Sequence, residues 1–321
     1  MSVTLALAGD TMLGRGVAQK LTAAPPSSLF APDVLEIVHA ADLFVLNLEC
    51  CISERGRPWA SPGKPFFFRA PPAAAEVLAL LGVDCVTLAN NHALDFGEQA
   101  LLDTFTHLEG AGITWVGAGP YVERARSPVV IDSDGFRLGV IGVCDHPEDF
   151  AAGIDRPGVS FADLRHEVPE WLPDLISSVD ADADAVLVTP HWGPNMAPTP
   201  VPEVLRCGPL LLEAGATLVA GHSAHVFQGV QGRILFDLGD FIDDYAVDPA
   251  LRNDLGLLWL VTLDAEGPIR LEGIPLFLDF CHTRLADGDD AAWVRKRFRD
   301  ACAAMGTNVT EEGGRLVVAW R

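Results

Sequence analysis

Positive charge is scarce in this chain: 22 Lys+Arg stand against 44 Asp+Glu, a formal net charge of −22 over 321 residues. That deficit argues against nucleic-acid binding, because phosphate contacts need clustered Lys and Arg. It argues against an anionic lipid surface for the same reason. Long hydrophobic runs are missing as well. The longest apolar stretches, such as Leu255–Leu263, fall far short of the ~20 residues that a membrane span requires. Met1–Ala8 carries no basic segment and runs straight into Gly9-Asp10, leaving no room for a signal-peptide cleavage site. A soluble, cytoplasmic protein with no membrane span is expected. No C-x-x-C pair occurs, and the 7 cysteines are an odd number spread over a long chain. This is neither a secreted disulfide framework nor a thiolate zinc site, so the cysteines read as small buried apolar residues. No internal repeat, low-complexity tract or Gly/Ser/Pro linker interrupts the sequence.

What is present is ample material for a core, with 49% hydrophobic and 21% charged residues. At roughly 150 residues per domain the length suggests two domains or one large α/β unit. Short β-branched or Leu-rich runs alternate with segments of helical period. Val3–Ala8, Leu43–Leu48, Cys85–Leu88, Ile113–Val116, Ala185–Thr189 and Ala216–Ala220 read as buried strands. Pro72–Leu81, Glu98–Gly110, Asp163–Ser178 and Val201–Ala214 read as helices. This alternation implies βαβ units and largely parallel sheet. Asp134-Gly135 and Gln231-Gly232 mark hairpins between Pro128–Asp132 and Phe136–Val143 and between Val226–Val230 and Arg233–Asp237, and Leu257–Leu263 pairs with Ile269–Leu276. The expected class is therefore α/β, with two mixed sheets packed between helices. Residues 1–285 form the main domain, and residues 286–321 form a helix-strand appendage (Ala291–Met305, then Arg315–Trp320) on the same core. Two long loops, Cys51–Pro71 and Cys144–Ser160, are of the length usually kept for function. The first sets Gly56, Pro58, Pro62, Gly63 and Pro65 around Phe66, Phe67 and Phe68.

Polar, metal-capable residues recur just after the predicted strands. Asp10 follows the first, Asn47 and Glu49 close the second, and Asn90-Asn91-His92 follows the third. His191 follows Ala185–Thr189, and His222 and His225 follow Ala216–Ala220. Singly, Asp10 and Glu49 would pass for helix caps, the asparagines for turn residues, and any one histidine for a core residue. Together they are hard to explain as separate accidents, because the carboxyl ends of parallel strands share one edge, where ligands bind. Imidazole, carboxylate and amide oxygen without thiolate suit Mn, Fe or Zn better than Ca or Mg. Glu49 has two oxygens and can bridge two ions, and a pair ~3.5–4 Å apart activates water at neutral pH.

Six blocks in this order, Gly9-Asp10-Thr-Met-Leu-Gly-Arg15, Asn47-Leu-Glu49, Ala89-Asn-Asn-His92-Ala-Leu-Asp95-Phe-Gly97, His191-Trp-Gly193, Gly221-His-Ser-Ala-His225 and Asp237-Leu-Gly-Asp-Phe241, carry a resemblance. The chain resembles the bacterial CapA family, also called PgsA, of capsule and poly-γ-glutamate synthesis proteins. That family looks like a branch of the calcineurin-like metallophosphatases, so the resemblance implies their sandwich fold. It also implies two divalent metal ions. Asp10 would bind the first, Glu49 would bridge, Asn91, His191 and His222 would serve the second, and His225 would return to the first. His92 would act on the leaving group, oriented by Asp95, which alternatively caps the following helix. Arg15 would meet an anionic substrate, or else lie on the surface of the first helix; Asn47 and Trp192 are candidate substrate contacts, and Phe66–Phe68 a candidate wall. The sequence departs from the wider superfamily by placing Met12 where an Asp-x-His motif has its His, Glu49 in place of a bridging Asp, and three residues between His222 and His225. The first metal is then completed by another group, such as Asp240 or water.

The leading expectation is a metal-dependent hydrolase acting on a phosphoester or a peptide/γ-glutamyl amide of a small-molecule substrate. One alternative is a non-catalytic accessory protein of a poly-γ-glutamate or peptide-ligase pathway; another is redox chemistry at a di-iron or di-manganese pair. A polyanion would be repelled by most of this surface, unless a basic patch of Arg15, Lys64 and Arg69 receives it.

Overall fold

The computed structural model describes residues 2–60 and 63–321. Strict alternation along the strands explains the layering. In the strand Ser2–Thr11, Leu5 and Leu7 face one way while Ala6 and Ala8 face the other, as the two-residue period of a strand requires. Leu5 and Leu7 pack against Leu138, Val140 and Leu187 of a second sheet. Ala6 and Ala8 pack beneath helices that supply Val17, Val34, Val77 and Leu101. The second sheet repeats the logic: Val186 and Val188 turn away from the first sheet, towards Leu172, Ile176 and Leu211. The result is a four-layer sandwich, helices on sheet on sheet on helices, of the metallophosphatase-like kind expected.

Both sheets are mixed. The larger, ten-stranded sheet runs in the order Thr310–Glu312, Arg315–Ala319, Gly267–Asp279, Leu255–Asp264, Ser2–Thr11, Leu43–Leu48, Cys85–Thr87, Thr114–Val116. The last four of these strands are parallel, and Asp240–Ile242 adds a short parallel partner to the end of Ser2–Thr11. The six-stranded sheet is parallel across Phe136–Cys144, Ala185–His191, Leu218–Ala220 and Ile234–Leu235, with an antiparallel hairpin at each edge. Residues 286–321 contribute the helix Gly288–Ala304 and two strands, and Arg315–Ala319 is hydrogen-bonded directly onto Gly267–Asp279.

Three local expectations change. Asp163–Ser178 is helical only from Trp171, as Trp171–Asp180. Pro169 disfavours continuation of a helix through this stretch, and Arg206 Nη2 donates to the carbonyl oxygens of Leu164, Arg165 and His166 that a helix would use internally. The second hairpin shrinks to Val230–Gln231 with Ile234–Leu235, since the Asp237 carboxylate instead accepts the backbone N–H groups of Ala224 and Gly239 at 2.7 and 2.8 Å. The loop Cys51–Pro71 is pinned at both ends, where Cys51–Ile52 pairs with Arg69–Ala70; Pro62 lies outside the described residues. All 7 cysteines are free and buried. No helix among the described residues is long and apolar enough to cross a membrane.

Candidate metal centre

The carboxyl ends of the two parallel blocks face each other across the sandwich. Asp10 pairs in register with Asn47 on one side and with Asp240 on the other. The ladder slips between Ala8 and Asp10, at Gly9, where a Cβ would sit 1.7 Å from the Gly239 carbonyl oxygen. Only glycine permits that approach, which brings Asp10 and Asp240 side by side. From the second sheet, His191 ends its strand and bridges to His222. His225 adopts φ +57, a left-handed conformation held by the Asp237 bracket around the 222–225 turn.

Asp10, Glu49, His191, His222 and Asp240 are all at most 2% exposed, and His225 is 7% exposed. Asp10 Oδ1 lies 3.4 Å from His222 Nδ1, and Asp10 Oδ2 lies 3.3 Å from His225 Nδ1. Glu49 sits between the histidines, with Oε1 4.0 Å from His191 Nε2 and Oε2 3.9 Å from His225 Nδ1. His225 Nδ1 also meets Asp240 Oδ1 at 2.9 Å. The ligand atoms form two groups, Asp10–Glu49–His191 and Asp10–His225–Asp240, each within 4.8 Å. Asp10 is common to both, whereas the resemblance gives the bridging role to Glu49.

Buried polar atoms in proteins are nearly always hydrogen-bonded, yet Glu49 Oε1, Asn91 Oδ1, both nitrogens of His191, His222 Nδ1 and Asp240 Oδ2 have no hydrogen-bond partner. These orphans are of metal-ligating type and converge on one spot, so the donor set fits divalent cations. The electrostatics agree. Burial pushes the Glu49 carboxyl well above the usual range, and the Asp10 charge pushes it further. Burial likewise raises Asp240. Burial would also raise Asp10, but hydrogen bonds from His222 and His225 and their charge hold it well below normal. Three buried carboxylates this close repel one another, and a divalent ion removes that cost.

Other expected site residues are placed as follows. Asn91 presents its buried Oδ1 beside the cluster's strand ends, while Asn90 serves the scaffold, its Nδ2 donating to Asn47 Oδ1 and Leu48 O. Asn47, expected at the substrate, is instead fully buried behind Asp10. Its Nδ2 donates to Asp10 Oδ1 at 2.7 Å and its Oδ1 accepts from Asn90, so neither polar atom is left for a ligand. Met12 is buried, and its Sδ accepts the Gly14 N–H at 3.1 Å; Asp240 stands near Asp10 in its stead. Trp192 is 3% exposed, donates its indole N–H to Phe236 O, and lines a cavity next to the cluster.

His92 and Asp95 form a tight pair, Nδ1 to Oδ2 at 2.6 Å, and the imidazole stacks on Phe68 at 3.9 Å. Burial pushes the His92 pKa down to about 4, against the pull of Asp95. Asp95 is no helix cap: Oδ2 also accepts the Phe68 N–H, and Lys64 Nζ lies 3.0 Å from Oδ1. The basic patch of Arg15, Lys64 and Arg69 is thus dispersed. Lys64 is tied to Asp95 and the Asn91 carbonyl, Arg15 pairs with Asp244 at 3.2 Å, and Arg69 lies over Phe96. Of Phe66–Phe68, Phe66 is exposed and Phe68 is buried against His92.

Two groups escaped the sequence reading. Tyr245 donates its hydroxyl to Glu49 Oε2 at 3.3 Å, with no spacing to announce it. His146, held by Asp145 and 5.5 Å from the His191 ring, directly follows the strand Phe136–Cys144. The strand-end rule that found the others would have found it.

The chain was compared with known proteins. The family model described as bacterial capsule synthesis protein PGA_cap matches residues 4–245. A probable polyglutamine synthesis accessory protein of Mycobacterium tuberculosis is 30% identical, over 98% of this chain and 95% of its own length. The PGA biosynthesis protein CapA of Bacillus subtilis is 28% identical, over 74% of this chain and 62% of its own length. A hypothetical protein from Thermus thermophilus superposes with a TM-score of 0.51 at 15% identity, covering 87% of this chain and 100% of its own, a likeness of fold alone.

Proposed function

Because the chain belongs to the bacterial capsule synthesis protein family PGA_cap, we propose that it is a metal-dependent hydrolase with a dinuclear centre, cleaving a phosphoester or a γ-glutamyl-type amide. The observation that carries this reading is the convergence of orphaned, buried ligand atoms from both sheets on one edge. Asp10, Glu49, Asn91, His191, His222 and His225, with Asp240, would hold two ions of Mn, Fe or Zn type. Such ions supply polarised water at neutral pH and positive charge for a developing oxyanion.

The protein's own groups do the rest. Asp95 accepts the Nδ1 proton of His92, so the other ring nitrogen is left as an acceptor. His92 can then take a proton from the attacking water and pass it to the leaving group. The hydroxyl of the water goes to the acyl or phosphoryl centre, and the proton goes to the departing amine or alcohol. Tyr245 steadies Glu49, and Phe68 fixes the plane of the His92 ring. Arg15, on the cavity wall beside His92, meets an anionic group of the substrate.

Metal analysis combined with turnover tests the reading. Protein purified without chelators is expected to carry near-stoichiometric Mn, Fe or Zn and to hydrolyse at least one member of a panel of phosphoesters and γ-glutamyl peptides. Glu49→Ala and His191→Ala are expected to lose both metal and turnover. Absence of metal overturns the proposal. Stoichiometric metal without turnover supports instead an accessory role, the one named for the mycobacterial relative.

A further inference from the structure

The cluster lies between two cavities of opposite chemistry that share Asn195 on their walls. The first, about 300 Å³, opens onto His92 and His225. Arg15 is the permanent charge on its wall. The guanidinium is sandwiched among the rings of Phe66, Phe68 and Tyr245, 5.3, 5.6 and 5.9 Å from their centroids. Its one carboxylate partner is Asp244. A guanidinium has five N–H donors in a fixed fork, so one ion pair leaves donors free for a carboxylate in the cavity.

The second cavity, about 500 Å³, opens beside His146 and is walled by Leu164, Trp192 and Val204. Its charged groups are Asp145, Arg165 and Glu203. Asp145 is engaged by His146 and by the Gly193 N–H at 3.1 Å, and Arg165 is held by Asp163 at 3.0 Å. Glu203 is half-buried and forms no ion pair among the described residues. This cavity therefore presents apolar surface and an uncompensated carboxylate.

We infer that the cleft selects an amide whose two halves differ in charge: an acidic residue whose free carboxylate meets Arg15, joined to a residue with an ammonium-bearing or apolar side chain that enters the Glu203 cavity. The inference rests on the hydrolase reading only in placing the scissile bond over the metal ligands. A glutamate homopolymer would bring a second carboxylate against Glu203, and like charges across an interface are strongly disfavoured.

Isothermal titration of the as-purified protein with non-hydrolysable ketomethylene isosteres of γ-glutamyl-lysine, γ-glutamyl-leucine and γ-glutamyl-glutamate tests it without requiring turnover. The lysine isostere is expected to bind at least about tenfold more tightly than the glutamate one, with leucine between. Glu203→Gln is expected to erase the preference for lysine over leucine, and Arg15→Lys to weaken all three. Equal or tighter binding of the glutamate isostere, a ranking unchanged in Glu203→Gln, or no binding of any of the three overturns the inference. If the ranking holds while the cleavable peptides are not turned over, the inference stands and the hydrolase reading falls.

Discussion

The edge that holds Asp10 and the carboxy-terminal hairpin use the same kinds of charged residue to opposite ends. In the hairpin each carboxylate has its cation. Glu272 accepts from Arg270 at 2.7 Å and from Arg315 at 2.5 Å, Arg270 reaches Glu312 at 2.8 Å, and Arg321 meets Glu266 at 2.8 Å. Burial alone would raise Glu272, but its two arginines hold it below the usual carboxylate range. At the strand ends, Glu49 and Asp240 are buried with oxygens left orphaned and are pushed far above that range. Partially solvated charge is cheap to keep and contributes little, whereas buried charge without a counterion is expensive. A protein keeps the second kind where a ligand completes it.

The sharpest way to break this contrast is at the pair inside the site that is already complete. His92→Ala is expected to lower kcat by about 10²–10⁴, while metal content measured by emission spectrometry stays unchanged; loss of metal instead would place His92 among the ligands. Next comes the missing counterion itself. Removing the metal with a chelator is expected to cost about 2.7 kcal/mol if the site normally works at a hundred times its Kd. That corresponds to a fall in Tm of roughly 5 °C by calorimetry, and an unchanged Tm would mean that the buried carboxylates need no cation. Asn47→Leu removes the donor that aims Asp10, and should weaken metal affinity about 10–100-fold with the fold intact. Titration with a metal-buffered series reads this, and undiminished affinity would reduce Asn47 to packing. Smallest of all, Arg315→Met in the hairpin should change stability by about 1 kcal/mol or less. The sign with pH follows from the depressed Glu272: its pairing contributes at neutral pH and is lost as pH falls below the ordinary glutamate range. The Arg315→Met deficit in denaturant unfolding should therefore be present at pH 7 and vanish near pH 3.

Much of this was legible before any coordinates. Leu43–Leu48, Glu98–Gly110 and the Asp134-Gly135 hairpin follow from local periodicity and turn chemistry, and the structure keeps them with little change. Asp163–Ser178 failed because the backbone acceptors there are claimed by Arg206, a residue some forty positions away that no local pattern includes. The same limit separates Asn47 from Asn90 and Asn91. All three close strands in the sequence, yet only pairing across neighbouring strands makes Asn47 a support for Asp10 and leaves the Asn91 oxygen without a partner.

By itself, the sequence determined the alternation of strand and helix, the scarcity of cations, and the rule that His, Asp, Glu and Asn sit at strand ends, because each is a property of neighbours along the chain. Tertiary structure alone decided that two separate sheets turn those ends toward one point, that Asp240 stands where Met12 supplies no ligand, and that Arg15, Lys64 and Arg69 part company. These outcomes depend on register between distant strands, which is set by the packing of one sheet against the other, and no single segment carries that information.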